Sequence, residues 1–188
     1  MVKFKLIPRL MTIVLLFFST LLDCGTTYAS IGHKLYLDGN PFIRSFDWTQ
    51  LLIMQGMGVF IIASAFLFAS KEQHVIWPNK SLGFWSFFQY RLKKGFKLSF
   101  KLEHFQTEMV YAGVLLIWVV TIAHFLAGII AGSPFLGGPS FLDILRLIGI
   151  LELRTAQSIT TLFILLVAFI GAHYPLYLAY VQTYEGQE

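Results

Sequence analysis

The chain has 188 residues, of which 56% are hydrophobic and 13% charged, and its mean hydropathy is +0.69. This composition lies outside the range of soluble globular domains and indicates an integral membrane protein. The formal charge of +4 does not indicate nucleic-acid binding, because the basic residues cluster beside apolar segments, where anionic lipid headgroups are the nearest partner. A single cysteine, Cys24, excludes a disulfide framework or a thiolate metal site built within the chain.

Residues 1–29 have the pattern of a secretory signal peptide. A basic start precedes an apolar run over residues 10–22, and the small residues Thr27 and Ala29 suit a signal-peptidase site. We therefore expect cleavage after Ala29, which leaves a single mature membrane domain of residues 30–188. The alternatives are an uncleaved signal-anchor helix and lipidation at Cys24, which is disfavoured by Asp23 immediately before the cysteine.

Long uncharged windows follow near residues 48–70, 109–131 and 159–181. Each can cross a hydrocarbon core, which takes about 20 helical residues. Helix is the expected state, because so few spans cannot close a barrel. The predicted fold is therefore all-α: a multi-pass integral membrane helical bundle with three mature transmembrane helices, after an N-terminal signal peptide or signal-anchor helix, and with a short interfacial helix.

The distribution of basic residues predicts the orientation. The loop 71–108 holds most of them, namely Lys71, Lys80, Arg91, Lys93, Lys94, Lys97 and Lys101. By the positive-inside rule this loop is cytoplasmic, so the mature N-terminus lies outside and the C-terminus in the cytoplasm. With a secretory signal, this pattern favours the inner membrane of a bacterium.

The cytoplasmic loop also predicts a basic amphipathic helix. Apolar residues recur at every fourth position from Phe84 to Phe100, with lysines one step round the helix. We expect this helix to lie on the inner leaflet and to contact anionic lipid headgroups; a docking surface for a cytoplasmic partner is the alternative. The basic residues assigned to this interface are Arg91, Lys93, Lys94, Lys97 and Lys101.

The external connection predicts a second short helix near residues 141–153. A Gly-Gly-Pro breaker at 137–139 precedes Ser140, and Asp143 follows three residues later, which resembles an N-terminal capping box. The helix is too short to span a bilayer and is therefore expected to be interfacial or re-entrant.

The second window carries a histidine beside small residues. His124, Gly128 and Gly132 share one helix face, and the glycines form a GxxxG motif that lets another helix approach closely. His124 is therefore expected to face a helix contact. An ionisable residue inside a span is by default a candidate functional residue.

The third window repeats this arrangement. Ala168 and Ala172 offer a small-residue seam beside His173, and Pro175 weakens the helix one turn earlier. Both intramembrane histidines can serve as polar interhelical contacts or as ligands of a haem or chlorophyll. They differ by about 10 Å in predicted depth, which argues against one iron held by both. The sequence predicts no metal site.

The sequence contains no nucleophile with a base, no phosphate-binding glycine loop and no paired carboxylates at mid-membrane depth. We therefore do not expect an enzyme acting alone. The first hypothesis is a non-catalytic subunit of a larger membrane complex for transport, secretion or energy conversion, with other integral membrane subunits as partners and no cofactor of its own. The alternative is an electron-transfer subunit that binds b-type haem, chlorophyll or quinone through its intramembrane histidines.

Overall fold

The computed structural model describes residues 9–32, 34, 43, 45–69, 78, 81–96, 102–138, 143, 147, 149 and 153–185. These residues form helices and connecting turns, and no strand occurs among them. The helices are α1 (Arg9–Ile31), α2 (Trp48–Ala69), α3 (Phe84–Phe96), α4 (Leu102–Gly132) and α5 (Leu153–Glu185), with a 3₁₀ segment (Ser133–Leu136) after α4.

Within this part of the chain, 4 helices are long and apolar enough to cross a membrane: α1, α2, α4 and α5. The protein is therefore a multi-pass, all-helical membrane protein, as its composition predicts. The windows predicted near 109–131 and 159–181 fall within α4 and α5, and α2 covers the first window as far as residue 69. The additional helix is α1, which covers most of the predicted signal peptide and extends beyond the apolar run of residues 10–22.

Helix α4 is the centre of the bundle, because α1, α2 and α5 all pack against it, α1 most extensively. The core contains buried side chains from all of these helices: Leu16, Phe66, Tyr111, Val114, Ile117 and Leu176. Helices α1 and α4 run parallel, since Gly128 lies against Leu22 and Gly132, one turn later, lies against Thr26. The N-terminal helix is thus part of the core.

The short helix α3 packs across α5 through aromatic side chains. The Phe87 ring is buried and lies 5.1 Å from the Tyr180 ring, and the Phe84 ring lies 5.6 Å from that of Tyr177. The sequence predicts this helix, but its apolar face contacts α5 where lipid was expected. Trp85 on the other side is exposed and can face the membrane interface.

The predicted external helix near 141–153 falls outside the described residues, except for Asp143, Leu147, Gly149 and Leu153, where α5 begins. Lys97 and Lys101 of the predicted lipid interface also fall outside them, and for Lys94 only the backbone is described.

Candidate functional site

A carboxylate–imidazole pair joins α1 to α4 inside the apolar part of the bundle. Nδ1 of His124 lies 2.7 Å from Oδ2 of Asp23, and both side chains are about four-fifths buried, with 19% and 21% of their surfaces exposed. With the carboxylate ionised, the ring donates this hydrogen bond. His124 lies eight residues before the end of α4 and Asp23 eight before the end of α1, so each is about 12 Å inside its helix end.

The pair forms because the two helices approach closely beside it. A side chain at Gly128 would place its Cβ 2.9 Å from Cγ of Leu22 and 3.1 Å from the backbone nitrogen of Asp23. At Gly132 the nearest atom is Cγ2 of Thr26, at 3.2 Å. The glycines thus bring the α1 backbone within reach of the histidine.

The α1 face that contacts α4 carries small polar side chains. Thr12, Leu16, Ser19, Asp23, Thr26 and Ser30 lie within about 80° on a helical wheel. Several hydroxyl groups on this face donate hydrogen bonds to carbonyls within α1, as Ser19 does to Leu16 at 2.9 Å and Thr26 to Leu22 at 2.8 Å. Ser30 also reaches across to the carbonyl of Ala131 at 3.1 Å. Such internal bonds let hydroxyl side chains lie at an apolar helix contact.

His173 has a different environment on α5. Its ring donates from Nδ1 to the Phe169 carbonyl at 2.8 Å, because a carbonyl can only accept. The side chain is 2% exposed, and its ring lies 4.8 Å from the ring of Phe88 and 6.1 Å from that of Tyr111. The helix continues through Pro175, two residues later. In the neutral ring, Nε2 is then the nitrogen that carries the lone pair.

An ion pair joins α3 to α4 at the start of the α4 span. Nη2 of Arg91 lies 2.9 Å from Oε2 of Glu108, and the guanidinium carbon lies 3.5 Å from the centre of the Tyr111 ring. The Arg91 side chain is 2% exposed. Its Nε and Nη1, and the Tyr111 hydroxyl, have no hydrogen-bond partner among the described residues.

The position of Arg91 thus differs from the position expected from the sequence. It was predicted to contact lipid headgroups together with the neighbouring lysines, but it lies between α3 and α4, where Glu108 and an aromatic face are its partners. The guanidinium is flat and weakly hydrated, so it is the cation best suited to stacking at a buried contact. Lys93, two residues later, is exposed as expected.

The structure does not bring the predicted histidines together. His124 faces α1, whereas His173 lies beside Tyr111. Because Tyr111 and His124 are separated by about 20 Å along α4, the two histidines are more than about 10 Å apart, too far to bind one iron. Ala168 and Ala172 are fully buried within the bundle. The small-residue seams of α4 and α5 are therefore covered by this chain itself.

The arrangement supports helix association more readily than a reaction. The Asp23–His124 pair forms a hydrogen bond between α1 and α4, and the Arg91–Glu108 pair neutralises two charges at a helix contact. No group of three or more potential metal ligands occurs in the described part of the chain.

Sequence reasoning missed Asp23 and Glu108 as members of these pairs. From the sequence alone, Glu108 at the start of the second span is expected to be solvated at a helix N-terminus, and Asp23 serves only as an argument against lipidation. A signal for Asp23 was available in the sequence, since small polar residues recur at helical spacing through the apolar run and the residues after it, at Thr12, Ser19, Thr26 and Ser30. That periodicity is expected of a helix that packs in the membrane.

No protein-family model matches the chain, and neither a curated protein nor a solved structure shows significant similarity to it.

Proposed function

We propose that this protein is a non-catalytic subunit of a larger multi-protein complex in the bacterial inner membrane. The observation that carries this proposal is the amide of Gln55 in α2. It lies seven residues inside the span that begins at Trp48, about 10 Å from the helix end. An amide at this depth is unfavourable unless it forms a hydrogen bond.

The described part of the bundle does not satisfy Gln55. The side chain is half-buried, and no hydrogen bond to it occurs among the described residues. On both sides of it there is open space, because a side chain at Gly56 or Gly58 would meet nothing within 4 Å. Helix α2 buries only Leu51 and Phe66 among its described side chains. A helix of another subunit can approach at these glycines and supply the missing hydrogen bond.

The orientation proposed for this subunit places the 71–108 loop and the C-terminus in the cytoplasm, and the segment between α1 and α2 outside. The basic residues of the loop support it. Exposed Lys93 is then positioned for anionic headgroups of the inner leaflet.

Gentle purification of the full chain from its native host tests this proposal. We expect defined integral membrane proteins to copurify in stoichiometric amounts, and Gln55→Leu to release them. Met57→Leu is the matched control, because Met57 lies on the opposite side of α2 and is 60% exposed. A wild-type protein that purifies alone contradicts the proposed role, and partners retained by Gln55→Leu contradict the assignment of Gln55 to the interface.

The electron-transfer alternative is supported by one observation, the hydrogen bond that fixes the tautomer of His173. Nδ1 donates a hydrogen bond to a carbonyl, so Nε2 of the neutral ring carries the lone pair. Histidines that bind a metal have the same arrangement. The rings around it form an apolar environment. An absorption spectrum of the same preparation tests this function: a stoichiometric Soret band that disappears in His173→Ala supports it, and a colourless complex contradicts it.

A further inference from the structure

We propose that α1 is not removed as a signal peptide but remains as a permanent transmembrane helix, which occupies the glycine seam of α4 and is held there by Asp23. The proposal is independent of the identity of any partner subunit. According to this proposal, the helix that packs against the GxxxG face is the N-terminal helix of the same chain.

The first argument is the fit between the two helices. At Gly128 an added Cβ would lie 3.2 Å from the backbone carbonyl carbon of Leu22, in addition to the closer contacts described above. Leu16 and Thr12 on the same α1 face are fully buried. A transient targeting segment needs only an apolar run, whereas this helix has a face shaped for one particular neighbour.

The second argument is electrostatic. An aspartate near the end of an apolar segment opposes membrane insertion, and it is tolerated when a polar partner forms a hydrogen bond with it. That partner is His124, 101 residues away in the chain, at 2.7 Å. Removal of α1 would leave His124 and two glycines on a surface facing lipid, with no described side chain to replace Asp23.

The third argument concerns the expected cleavage site. The bond after Ala29 lies within α1, which continues to Ile31. The backbone there is held on both sides: Gly32 N–H donates to the Tyr28 carbonyl at 2.8 Å, and the Trp48 indole donates to the Gly32 carbonyl at 2.7 Å. The Tyr28 and Trp48 rings also stack edge to face at 5.1 Å. Tyr28, Ala29 and Ser30 are exposed, but proteases cut most readily at irregular segments, and this site is helical.

The mass of the intact full chain, purified from bacterial membranes through a C-terminal tag, tests retention directly. We expect a chain that includes residues 1–29, with the same N-terminus in the variant Ala29→Leu, which removes the small residue needed for cleavage. A mature chain that begins at Ser30 overturns the proposal. This outcome needs no variant to fold, and it does not depend on whether partner subunits copurify.

A disulfide cross-link tests the position of α1. An added Cβ at Gly132 lies 3.9 Å from Cβ of Thr26, within the range of natural disulfides, about 3.5–4.5 Å. In a Cys24→Ser background, the pair Thr26→Cys and Gly132→Cys is expected to form a disulfide on mild oxidation. The link holds the fragments together after cutting at a protease site introduced at 71–80.

The matched control pairs Thr26→Cys with Ile130→Cys, which lies about 160° round α4 from Gly132. We expect at least tenfold less cross-link in this control. A full-length chain that forms no more cross-link at Gly132 than at Ile130 overturns the assignment of α1 to the seam. Addition of Asp23→Leu to the reactive pair is expected to slow cross-linking several-fold, and an unchanged rate contradicts the role given to Asp23.

Discussion

Gly128→Ala is expected to destabilise the bundle although alanine favours helix. The new Cβ would lie 2.9 Å from Cγ of Leu22 and 3.1 Å from the backbone nitrogen of Asp23. Real side chains do not approach so closely, and a backbone atom cannot move away as a side-chain end can. Overpacking of this kind costs about 1–3 kcal/mol. The helical preference for alanine over glycine offsets about 0.5–1 kcal/mol of it.

Gly56→Ala provides the matched control. Gly56 also lies inside a transmembrane helix, but an added Cβ there meets nothing within 4 Å. Only the gain in helical preference remains, so this variant should be as stable as the wild type or more stable by up to about 1 kcal/mol. We therefore expect Gly128→Ala to be about 1–3 kcal/mol less stable than Gly56→Ala.

The measurement is reversible unfolding of the full chain in mixed micelles, followed by tryptophan fluorescence and by far-ultraviolet circular dichroism. The cross-link between positions 26 and 132 gives a second, local readout of the same contact. Equal stability of the two alanine variants, with an unchanged cross-linking rate in Gly128→Ala, would refute the close approach of α1 to α4 on which the reasoning depends.

Further predictions concern the polar contacts. Asp23→Ala and His124→Ala should each lower the free energy of unfolding by about 1–3 kcal/mol, because each leaves a buried polar partner unpaired. The double variant should lose less stability than the sum of the two single losses. Strict additivity in a double-mutant cycle would show that the pair contributes nothing. Arg91→Lys should expose α3 to protease and increase its hydrogen exchange, since an ammonium cannot stack on Tyr111 as a guanidinium does; unchanged protection would contradict this. Trp48→Phe keeps the ring but removes the indole donor, and should lower stability by about 0.5–1.5 kcal/mol; wild-type stability would mean that this hydrogen bond is replaced by water.

Much of the fold is determined by local properties of the sequence. The windows near 48–70, 109–131 and 159–181 are apolar over a length that only a membrane helix can satisfy, and each lies in a helix in the structure. The hydropathy of a window is the sum over its own residues, so a membrane helix can be predicted from it without knowledge of the neighbouring helices. The helix over residues 84–96 follows for the same reason, from the spacing of its phenylalanines.

The partners of these helices depend on the tertiary structure. The sequence identified the face of His124, Gly128 and Gly132 as a helix contact, but not that α1 covers it. In the same way, the position of Arg91 in its loop suggested lipid, whereas folding places it against Glu108 and Tyr111.

The physical reason is that the packing of two helices depends on the surfaces of both helices together. An apolar run can insert alone, so composition cannot distinguish a cleaved segment from a packed one. The distinction lies in complementarity between a small polar face on α1 and two glycines on α4, next to a hydrogen bond between residues 101 positions apart. Only the folded chain brings these residues to one depth and one interface.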